Sequence, residues 1–303
     1  MSAVKFSVII TSYNQREFIE DAVDFALALP NVNKEIIVVD DGSTDGSQDA
    51  LGRYGDAIRL VRLEINEGAG AARNRGASLA TGEFLVFLDG DDTFVPWALD
   101  VYGCIVEAKG PKMILAKMRW FEGTLPVIRP DDTPHQMHIV EYQDYLRKDR
   151  PFGNSASALV VDRQCFYRAQ GWSTDIWPMN DQDLTLRLCD CGRTIQILEP
   201  PTTLHRSHAS NTVKYVPPYL PSLYKIIQNN QSGYYSGGEH RSFERRALIG
   251  ALVVFWAKRA VKAGLYHDAL KLLVRGRQMA SVAVALRLWR IIRGRRAVET
   301  ISM

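Results

Sequence analysis

Three continuous apolar runs rich in β-branched residues constrain the fold more than any other feature of the chain. They are "FSVIIT" (6–11), "EIIVVDD" (35–41) and "FLVFLDGDD" (84–92). Apolar residues fill successive positions in each run instead of alternating with polar ones, which is typical of parallel strands covered on both faces. The runs therefore predict three buried strands of one parallel sheet.

The segments between these strands predict helices. In "NQREFIEDAVDFALAL" Asn14 and Glu17 resemble a capping box, and apolar residues recur from Phe18 at helical spacing. A second helix is predicted from near Thr44–Asp45, then a short strand at "IRLVRL" and a third helix over "GAGAARNRGASLA". Strands that alternate with helices predict an α/β fold with a Rossmann-like, mostly parallel central sheet and flanking helices.

Polar residues stand where each predicted strand ends. They are Thr11, Tyr13 and Asn14 after the first run, Asp40 and Asp41 after the second, and Asp89, Asp91 and Asp92 after the third. Ligands of open α/β sheets bind outside the carboxyl ends of the strands, so we expect one crevice to collect these side chains. Three carboxylates within four positions raise one another's pKa unless a cation lies among them. The sequence therefore predicts a bound cation.

The composition excludes several classes of protein. Hydrophobic residues make up 46% of the 303 residues and charged residues 23%, as in ordinary globular chains. The longest apolar stretch, "ALIGALVVFWA" at 247–257, is shorter than the roughly 20 residues that span a bilayer, so no transmembrane helix is expected. The first ten residues predict a strand and not a signal peptide. The 4 cysteines lack zinc-ligand spacing and are expected to be reduced thiols of a cytoplasmic protein.

Charge divides the chain into two parts. Residues 241–303 hold 14 Lys or Arg and 3 Asp or Glu, a balance of +11, whereas residues 1–240 hold 23 and 31, a balance of −8. A proline cluster and the soft stretch "NNQSGYYSGGEH" (229–240) separate the two. We therefore expect a catalytic domain at 1–215 and a linker with a basic helical extension at 216–303.

The end of the chain predicts a basic amphipathic helix. Arg287, Arg290 and Arg293 recur every three residues among apolar side chains. Such helices lie on anionic membrane surfaces, and we expect residues 279–296 to contact one. For residues 243–275, membrane contact and packing against the first domain remain equally open. Nucleic acid is not expected as a partner, because the first part of the chain is acidic.

Five motifs in a fixed order carry a family resemblance. The chain resembles the inverting family 2 glycosyltransferases with the GT-A fold over about residues 5–210, through "SVIITSYN", "EIIVVDDGSTDGS", "NEGAGAARNRG", "ATGEFLVFLDGDD" and "NDQDLTLRL". The resemblance implies transfer of a hexose-type sugar, with inversion, from a nucleotide diphosphate donor to an acceptor hydroxyl. UDP-sugar is the expected donor and a saccharide or lipid-linked molecule the expected acceptor, in bacterial surface polysaccharide or glycolipid synthesis at the inner face of the plasma membrane.

The resemblance also implies a metal site. Asp91 corresponds to the family's main ligand of Mn²⁺ or Mg²⁺, with Asp89 contacting the ribose or the metal. His208 in "LHRSHASNT" is expected to complete the metal shell and Arg206 to contact phosphate, whereas His205 is less favoured. Asp92 is expected only to cap the segment that follows it.

The remaining family motifs imply donor contacts. Asp41 is expected to face the base, and Thr11 and Tyr13 to line the same pocket. Arg73 matches a recurrent family arginine; it either contacts the donor or holds Asp residues in place, and the two roles remain equally open.

A last motif implies the general base. Asp181 corresponds to the aspartate that takes the proton of the acceptor hydroxyl. Asn180 departs from the family's usual Glu, and Asp183 with Arg187 is expected to form a surface ion pair. Two other classes stay open: a sugar-nucleotide-forming nucleotidyltransferase, against which the missing glycine-rich N-terminal loop counts, and a catalytically silent nucleotide-sugar-binding or scaffold module, which Asn180 keeps open.

Overall fold

The computed structural model describes residues 4–30, 33–128, 132–143, 145–147, 155–209, 211–293 and 298–302, without the side chains of Arg147 and of residues 286–293. The strands are β1 (Phe6–Ser12), β2 (Lys34–Asp40), β3 (Arg59–Arg62), β4 (Phe84–Asp89), β5 (Thr93–Phe94), β6 (Met113–Leu115), β7 (Met118–Glu122), β8 (Gln136–Tyr142), β9 (Leu159–Asp162), β10 (Thr194–Glu199), β11 (Thr203–Ser207) and β12 (Glu299–Ser302). The helices are α1 (Ile19–Ala28), α2 (Ser47–Gly52), α3 (Ala69–Leu79), α4 (Ala98–Lys109), α5 (Arg163–Arg168), α6 (Asn180–Leu188), α7 (Tyr219–Gln231), α8 (Ser242–Lys262), α9 (Tyr266–Arg275) and α10 (Arg277–Arg293).

Nine strands form a central sheet in the order β12-β8-β10-β6-β9-β4-β1-β2-β3. The α/β prediction is confirmed, and the strands β3, β2, β1 and β4 are mutually parallel as the three apolar runs predict. The other half of the sheet is mixed, because β9 runs antiparallel between β4 and β6 and β8 runs antiparallel to β10. The parallel half keeps its carboxyl ends at one edge, where the polar residues stand.

Both faces of the parallel half are covered, which explains its continuous apolar runs. Alternate residues of β1 enter two different cores: Ile9 packs on one face, and Val8 and Ile10 pack on the other. Helix α3 lies close against the first face, since a Cβ on Gly76 would overlap the Ile9 side chain. That close approach fixes the position of Arg73, three residues earlier on the same helix.

A second sheet of three strands, β5-β11-β7, lies beside the carboxyl edge. Strand β11 runs parallel to β7 and antiparallel to β5, which follows β4 by only a few residues. Residues of β11 are therefore brought beside the acidic turn after β4, although they lie more than one hundred positions later in the chain.

The predicted capping box at the start of the first helix is wrong. Helix α1 begins at Ile19, and no side chain caps it. Asn14 instead adopts a positive φ of 51°, and its Oδ1 accepts a hydrogen bond of 2.8 Å from the Thr44 backbone N–H. The Ser43 hydroxyl in turn accepts from the Asn14 N–H at 2.9 Å. Asn14 thus joins the loops after β1 and β2, which form the rim of the crevice.

The helices after residue 216 pack on the preceding part of the chain. Side chains of α7 and α8, among them Leu223, Ile249 and Val253, belong to the same core as residues of the central sheet. A Cβ on Gly250 would overlap the backbone of Met279, so α10 lies directly on α8. Strand β12 then pairs with β8 at the edge of the central sheet. Residues 243–275 therefore pack against the preceding part of the chain through the buried faces of α8 and α9, and membrane contact of their exposed faces stays a prediction.

The predicted basic stripe of Arg287, Arg290 and Arg293 lies on α10, but these side chains fall outside the described part of the chain. Among the described residues, no helix combines the length and the apolar character needed to cross a membrane.

Candidate active site

The acidic turn after β4 gathers three carboxylates. Oxygen atoms of Asp89, Asp91 and Asp92 lie within 4.8 Å of one another. The turn is pressed against β1, because the Gly90 N–H donates to the Thr11 carbonyl at 2.9 Å and a Cβ on Gly90 would contact that carbonyl and the Gln15 side chain. Glycine is therefore required here, and it aims the three carboxylates beyond the end of the strand.

Arg73 holds the first carboxylate. Its Nη2 lies 2.5 Å from Asp89 Oδ1, and its guanidinium lies 4.8 Å from the centre of the Trp172 ring. Of the two roles left open by the sequence, the one that holds an Asp residue is thus realised. The buried Arg73 Nε has no hydrogen-bond partner among the described residues.

Asp91 contacts a histidine from the second sheet. His208 Nε2 lies 2.8 Å from Asp91 Oδ2. The Asn211 side chain holds this histidine, because its Oδ1 accepts from the His208 backbone N–H and its Nδ2 contacts His208 Nε2. Neighbouring ligand atoms of an octahedral ion with bonds of 2.0–2.1 Å are about 2.9 Å apart. The spacing of these two atoms fits a shared divalent ion.

The prediction that Asp92 only caps the following segment is wrong. Asp92 is fully buried, and its carboxylate contacts His205 Nδ1 at 2.9 Å and accepts from the Arg206 backbone N–H at 3.1 Å. Burial raises the pKa of Asp92 to about 6, while the bond to His205 opposes the shift. Burial lowers the pKa of His205, but the bond to Asp92 and the nearby acidic charges outweigh it, so that pKa is raised overall. The pair joins β11 to the acidic turn.

Arg206 is engaged elsewhere than at a phosphate. Its Nη2 donates to Asp21 at 2.7 Å, and its guanidinium lies between the rings of Phe18 and Phe121, at 4.8 and 4.9 Å from their centres. The side chain is 7% exposed. In this arrangement Arg206 joins α1 to the second sheet. Its contact with a phosphate stays a prediction.

The carboxyl end of β2 supplies a second acidic group. Both carboxylate oxygens of Asp41 accept backbone hydrogen bonds, from Glu67 N at 2.8 Å and from Gly68 N at 2.9 Å. Asp41 therefore fixes the loop that leads into α3. Thr11 is buried beside it, whereas Tyr13 is 45% exposed at the rim. Asp40 is buried as well, and its Oδ2 has no partner among the described residues.

Asp181 lies at the opposite wall of the crevice. It stands in the first turn of α6, and its Oδ1 accepts from the Gln182 backbone N–H at 2.8 Å. Burial raises the pKa of Asp181 to about 7; the Gln182 bond and the Arg73 charge lower it, and the Asp89 charge raises it. The preceding Asn180 packs against Gly70 of α3. Asp181 therefore lies within electrostatic range of the Arg73–Asp89 pair.

The predicted ion pair of Asp183 and Arg187 forms, but its predicted location on the surface is wrong. The two side chains do pair, with Arg187 Nη2 2.6 Å from Asp183 Oδ2, but Asp183 is 0% and Arg187 7% exposed. The pair is buried because the segment after α7 covers it, and Tyr235 from that segment donates to Asp183 at 2.8 Å. The spacing of four residues predicts the pair, but nothing local in the sequence predicts its cover.

The structure brings most of the predicted site residues to one edge. Thr11, Asp41 and Asp89 lie at or just after the carboxyl ends of neighbouring strands, and Tyr13 is exposed just after β1. Arg73 contacts Asp89, His208 contacts Asp91, and Asp181 lies within electrostatic range of Arg73 and Asp89. Three contacts of the site are not predicted from the sequence: the buried Asp92–His205 pair, Asn211 beside His208, and Trp172 over Arg73. Two histidines three positions apart, His205 and His208, are the sequence feature that could have indicated the Asp92–His205 pair and the Asn211 contact.

Solved structures share this fold. The chain superposes on Staphylococcus aureus TarS, residues 1–349, in complex with UDP-GlcNAc with a TM-score of 0.67, at 16% identity, covering 90% of this chain and 79% of that one. It superposes on the mannosyltransferase PcManGT of Pyrobaculum calidifontis in complex with GDP-Man and Mn²⁺ with a TM-score of 0.60, at 19% identity, covering 97% and 83%. The protein therefore has a GT-A fold with a helical C-terminal region.

The sequence comparisons give the family. Residues 7–149 match the family model "Glycosyl transferase family 2". The glycosyltransferase TuaG of Bacillus subtilis (strain 168), named for teichuronic acid biosynthesis, is 46% identical over 89 residues, which cover 28% of this chain and 35% of that protein. The matched part spans about a third of the length of such curated relatives. Residues 7–149 therefore resemble a family 2 glycosyltransferase domain, and the resemblance stated from the motifs is confirmed.

Proposed function

We propose that the protein transfers a hexose-type sugar from a UDP-sugar to an acceptor hydroxyl, with inversion at the anomeric carbon, in the synthesis of a bacterial surface polysaccharide or glycolipid. The observation that carries the proposal is the carboxylate cluster of Asp89 and Asp91 at the end of β4, within electrostatic range of Asp181, whose pKa is raised. The UDP-GlcNAc complex of the TarS neighbour supports the uridine donor. The names of relatives such as TuaG support the pathway class.

The acidic cluster would hold Mn²⁺ or Mg²⁺. Carboxylate oxygens suit these hard cations, and the Asp91–His208 spacing fits two neighbouring ligands. Asp89 keeps one oxygen free of Arg73 and is placed to share the ion or the donor ribose. When bound, such an ion acts as a Lewis acid that stabilises the charge of a departing nucleoside diphosphate. The Mn²⁺ complex of the PcManGT neighbour supports this choice.

The strand ends would bind the donor. Thr11 lies near the carboxyl end of β1, Asp41 follows β2 directly, and Tyr13 is exposed just after β1, so a nucleoside placed against these strand ends meets a carboxylate and an aromatic ring. This arrangement separates nucleoside recognition from the acidic turn and leaves the sugar to face α6.

Asp181 would act as the general base. Direct inversion is a single displacement, so the chain needs one group that takes the proton of the acceptor hydroxyl and no nucleophile of its own. A pKa of about 7 keeps a substantial fraction of Asp181 ionised at neutral pH while leaving it basic enough to accept the proton. Asn180 is packed against α3 and therefore serves to place the first turn of α6.

We further propose that the C-terminal helices of a cytoplasmic protein rest on an anionic membrane surface, beside a lipid-linked acceptor. Tyr266, Leu270, Leu273 and Val274 form an exposed apolar stripe on α9, between 40% and 69% exposed. The stripe follows helical spacing, and the basic Lys271 and Arg275 stand next to it. An apolar face flanked by cations is the pattern of helices that lie in the headgroup region. The division of the chain at residue 215 remains part of this proposal.

A nucleotide-binding experiment tests the catalytic proposal. We expect UDP with Mn²⁺ to raise the melting temperature of the wild type, because a ligand of the folded state stabilises it by mass action. The shift should vanish with EDTA and in Asp91→Ala, and persist in Asp56→Ala, which removes an exposed carboxylate outside the crevice. No shift with UDP, GDP, dTDP or CDP would contradict the donor site. A shift without turnover of any UDP-sugar would favour the silent binding module instead.

A further inference from the structure

The sequence predicts a linker for the segment after α7, but in the structure this segment reaches the protein interior. Tyr235 is 2% exposed, and its hydroxyl donates to Asp183 Oδ1 at 2.8 Å. The adjacent Ser236 donates to the Arg187 carbonyl at 2.6 Å. Arg245 of α8 donates in turn to the Ser236 carbonyl at 2.8 Å. The C-terminal helices are therefore bonded to the helix that begins with Asn180 and Asp181.

Hydrogen bonds to both of its oxygens hold the Asp183 carboxylate in one position. Its Oδ1 is occupied by Tyr235, and its Oδ2 accepts from Arg187 Nε at 2.9 Å and from Arg187 Nη2 at 2.6 Å. The Asp183 backbone N–H donates to the Met179 carbonyl at 3.0 Å, which closes the first turn of the helix. Asp183 lies two residues after Asp181, so a fixed Asp183 fixes the turn that carries the base.

The same pair reaches the donor side of the crevice. Arg187 Nη1 donates to the Gly171 carbonyl at 2.6 Å. The next residue, Trp172, forms two hydrogen bonds with Asn74: its N–H donates to Asn74 Oδ1 and its carbonyl accepts from Asn74 Nδ2, both at 2.8 Å. The Trp172 ring then covers the guanidinium of Arg73. One buried network thus connects the C-terminal segment to both walls of the crevice.

We propose that Tyr235 is a positioning residue for transfer: its hydroxyl, through Asp183 and Arg187, fixes the first turn of α6 so that Asp181 meets the acceptor hydroxyl. The inference rests on the proposed function of Asp181 as the base. It assigns a role in turnover to a segment outside the matched family region, which ends at residue 149. A buried charged group that loses a hydrogen-bond partner is destabilised in free energy. Removal of the Tyr235 hydroxyl oxygen alone should therefore have a measurable effect on the position of Asp183.

The substitution Tyr235→Phe tests this role. It keeps the ring and removes only the hydroxyl, and Tyr234→Phe is the matched control because Tyr234 is 48% exposed. We expect Tyr235→Phe to lower kcat about tenfold with KM for the donor and the UDP affinity changed less than twofold. Amide hydrogen exchange over residues 180–188 should quicken about tenfold in the same variant. Tyr234→Phe should match the wild type in both measurements.

The outcomes separate the inference from the function on which it rests. A kcat of Tyr235→Phe equal to that of Tyr234→Phe, or a loss that only follows the fraction of unfolded protein, would overturn the positioning role. Unchanged exchange over α6 would overturn it as well. A wild type that binds UDP but transfers no sugar would refute the proposed function, and the exchange measurement would still decide whether Tyr235 fixes the helix.

Discussion

Replacement of the proposed base should make the protein more stable while it abolishes turnover. Burial raises the pKa of Asp181 from 3.8 to about 7, so the folded state holds this carboxylate in a setting that disfavours its charge. A shift of this size corresponds to at most about 4 kcal/mol above pH 7, since one pKa unit is about 1.4 kcal/mol. Asp181 is only half-buried, and solvent screening reduces the figure. We therefore expect Asp181→Asn to gain about 1–2 kcal/mol at pH 8.

The pH dependence gives this prediction its sign. Between about pH 4 and 7 the folded state binds a proton at Asp181 that the unfolded state does not bind, so the wild type loses stability as the pH rises through this window. Asp181→Asn has no such group. The stability difference between the two proteins should therefore be largest above pH 7 and shrink towards pH 4.

Urea unfolding at several pH values, paired with a transfer assay, measures both effects. The wild-type kcat should fall about tenfold for each unit below pH 7, because only the ionised carboxylate accepts a proton, and Asp181→Asn should lose a factor of about 10²–10⁴ at its plateau. Glu17→Gln, at an exposed position on the surface, serves as the control. Equal stability of Asp181→Asn and wild type at pH 8, or substantial turnover by the variant, would refute the reasoning.

Three further predictions follow from the geometry of the crevice. Arg73→Lys should weaken UDP binding about tenfold in calorimetry, since an ammonium cannot replace the planar group that pairs with Asp89 under Trp172; unchanged affinity would contradict a donor contact. Asp92→Ala should lower the free energy of unfolding in urea by about 3 kcal/mol at pH 7, because it removes the buried acceptor of both His205 Nδ1 and the Arg206 N–H and leaves two donors unpaired; a change below about 0.5 kcal/mol would refute the structural role. Removal of divalent ions with EDTA should reduce transfer to background, and Mn²⁺ should restore it; turnover that persists in EDTA would exclude the metal proposal.

The parts of the site that the sequence predicts are those set by a strand and the residues that follow it. Thr11, Asp41 and Asp89 each end a continuous apolar run, and parallel pairing places the three strand ends side by side. The hydrophobic pattern fixes such strands, and their common direction fixes the edge at which the polar residues meet. This much follows from local pattern and elementary sheet geometry.

The partners of these residues are not predictable in the same way. Asp92 and His205 are 113 positions apart, and Asp183 and Tyr235 are 52 apart. Neither pair follows from a helical or strand period, because each depends on how two separate elements dock. The local sequence therefore gives no sign that the carboxylates of Asp92 and Asp183 are buried. The docking of separate elements buries them and gives each a specific hydrogen-bond donor.

The division of labour among the acidic residues follows from these partners. Asp92 and Asp183 have both carboxylate oxygens bonded, to His205 and Arg206 in the first case and to Tyr235 and Arg187 in the second, and both are fully buried. Fully bonded, buried carboxylates stabilise an arrangement and are poorly placed to exchange ligands. Asp89 and Asp91 keep part of their oxygens free at the crevice, and Asp181 keeps a raised pKa. The carboxylates proposed for chemistry are therefore the incompletely bonded ones, and each stands beside a fully bonded carboxylate that fixes its position.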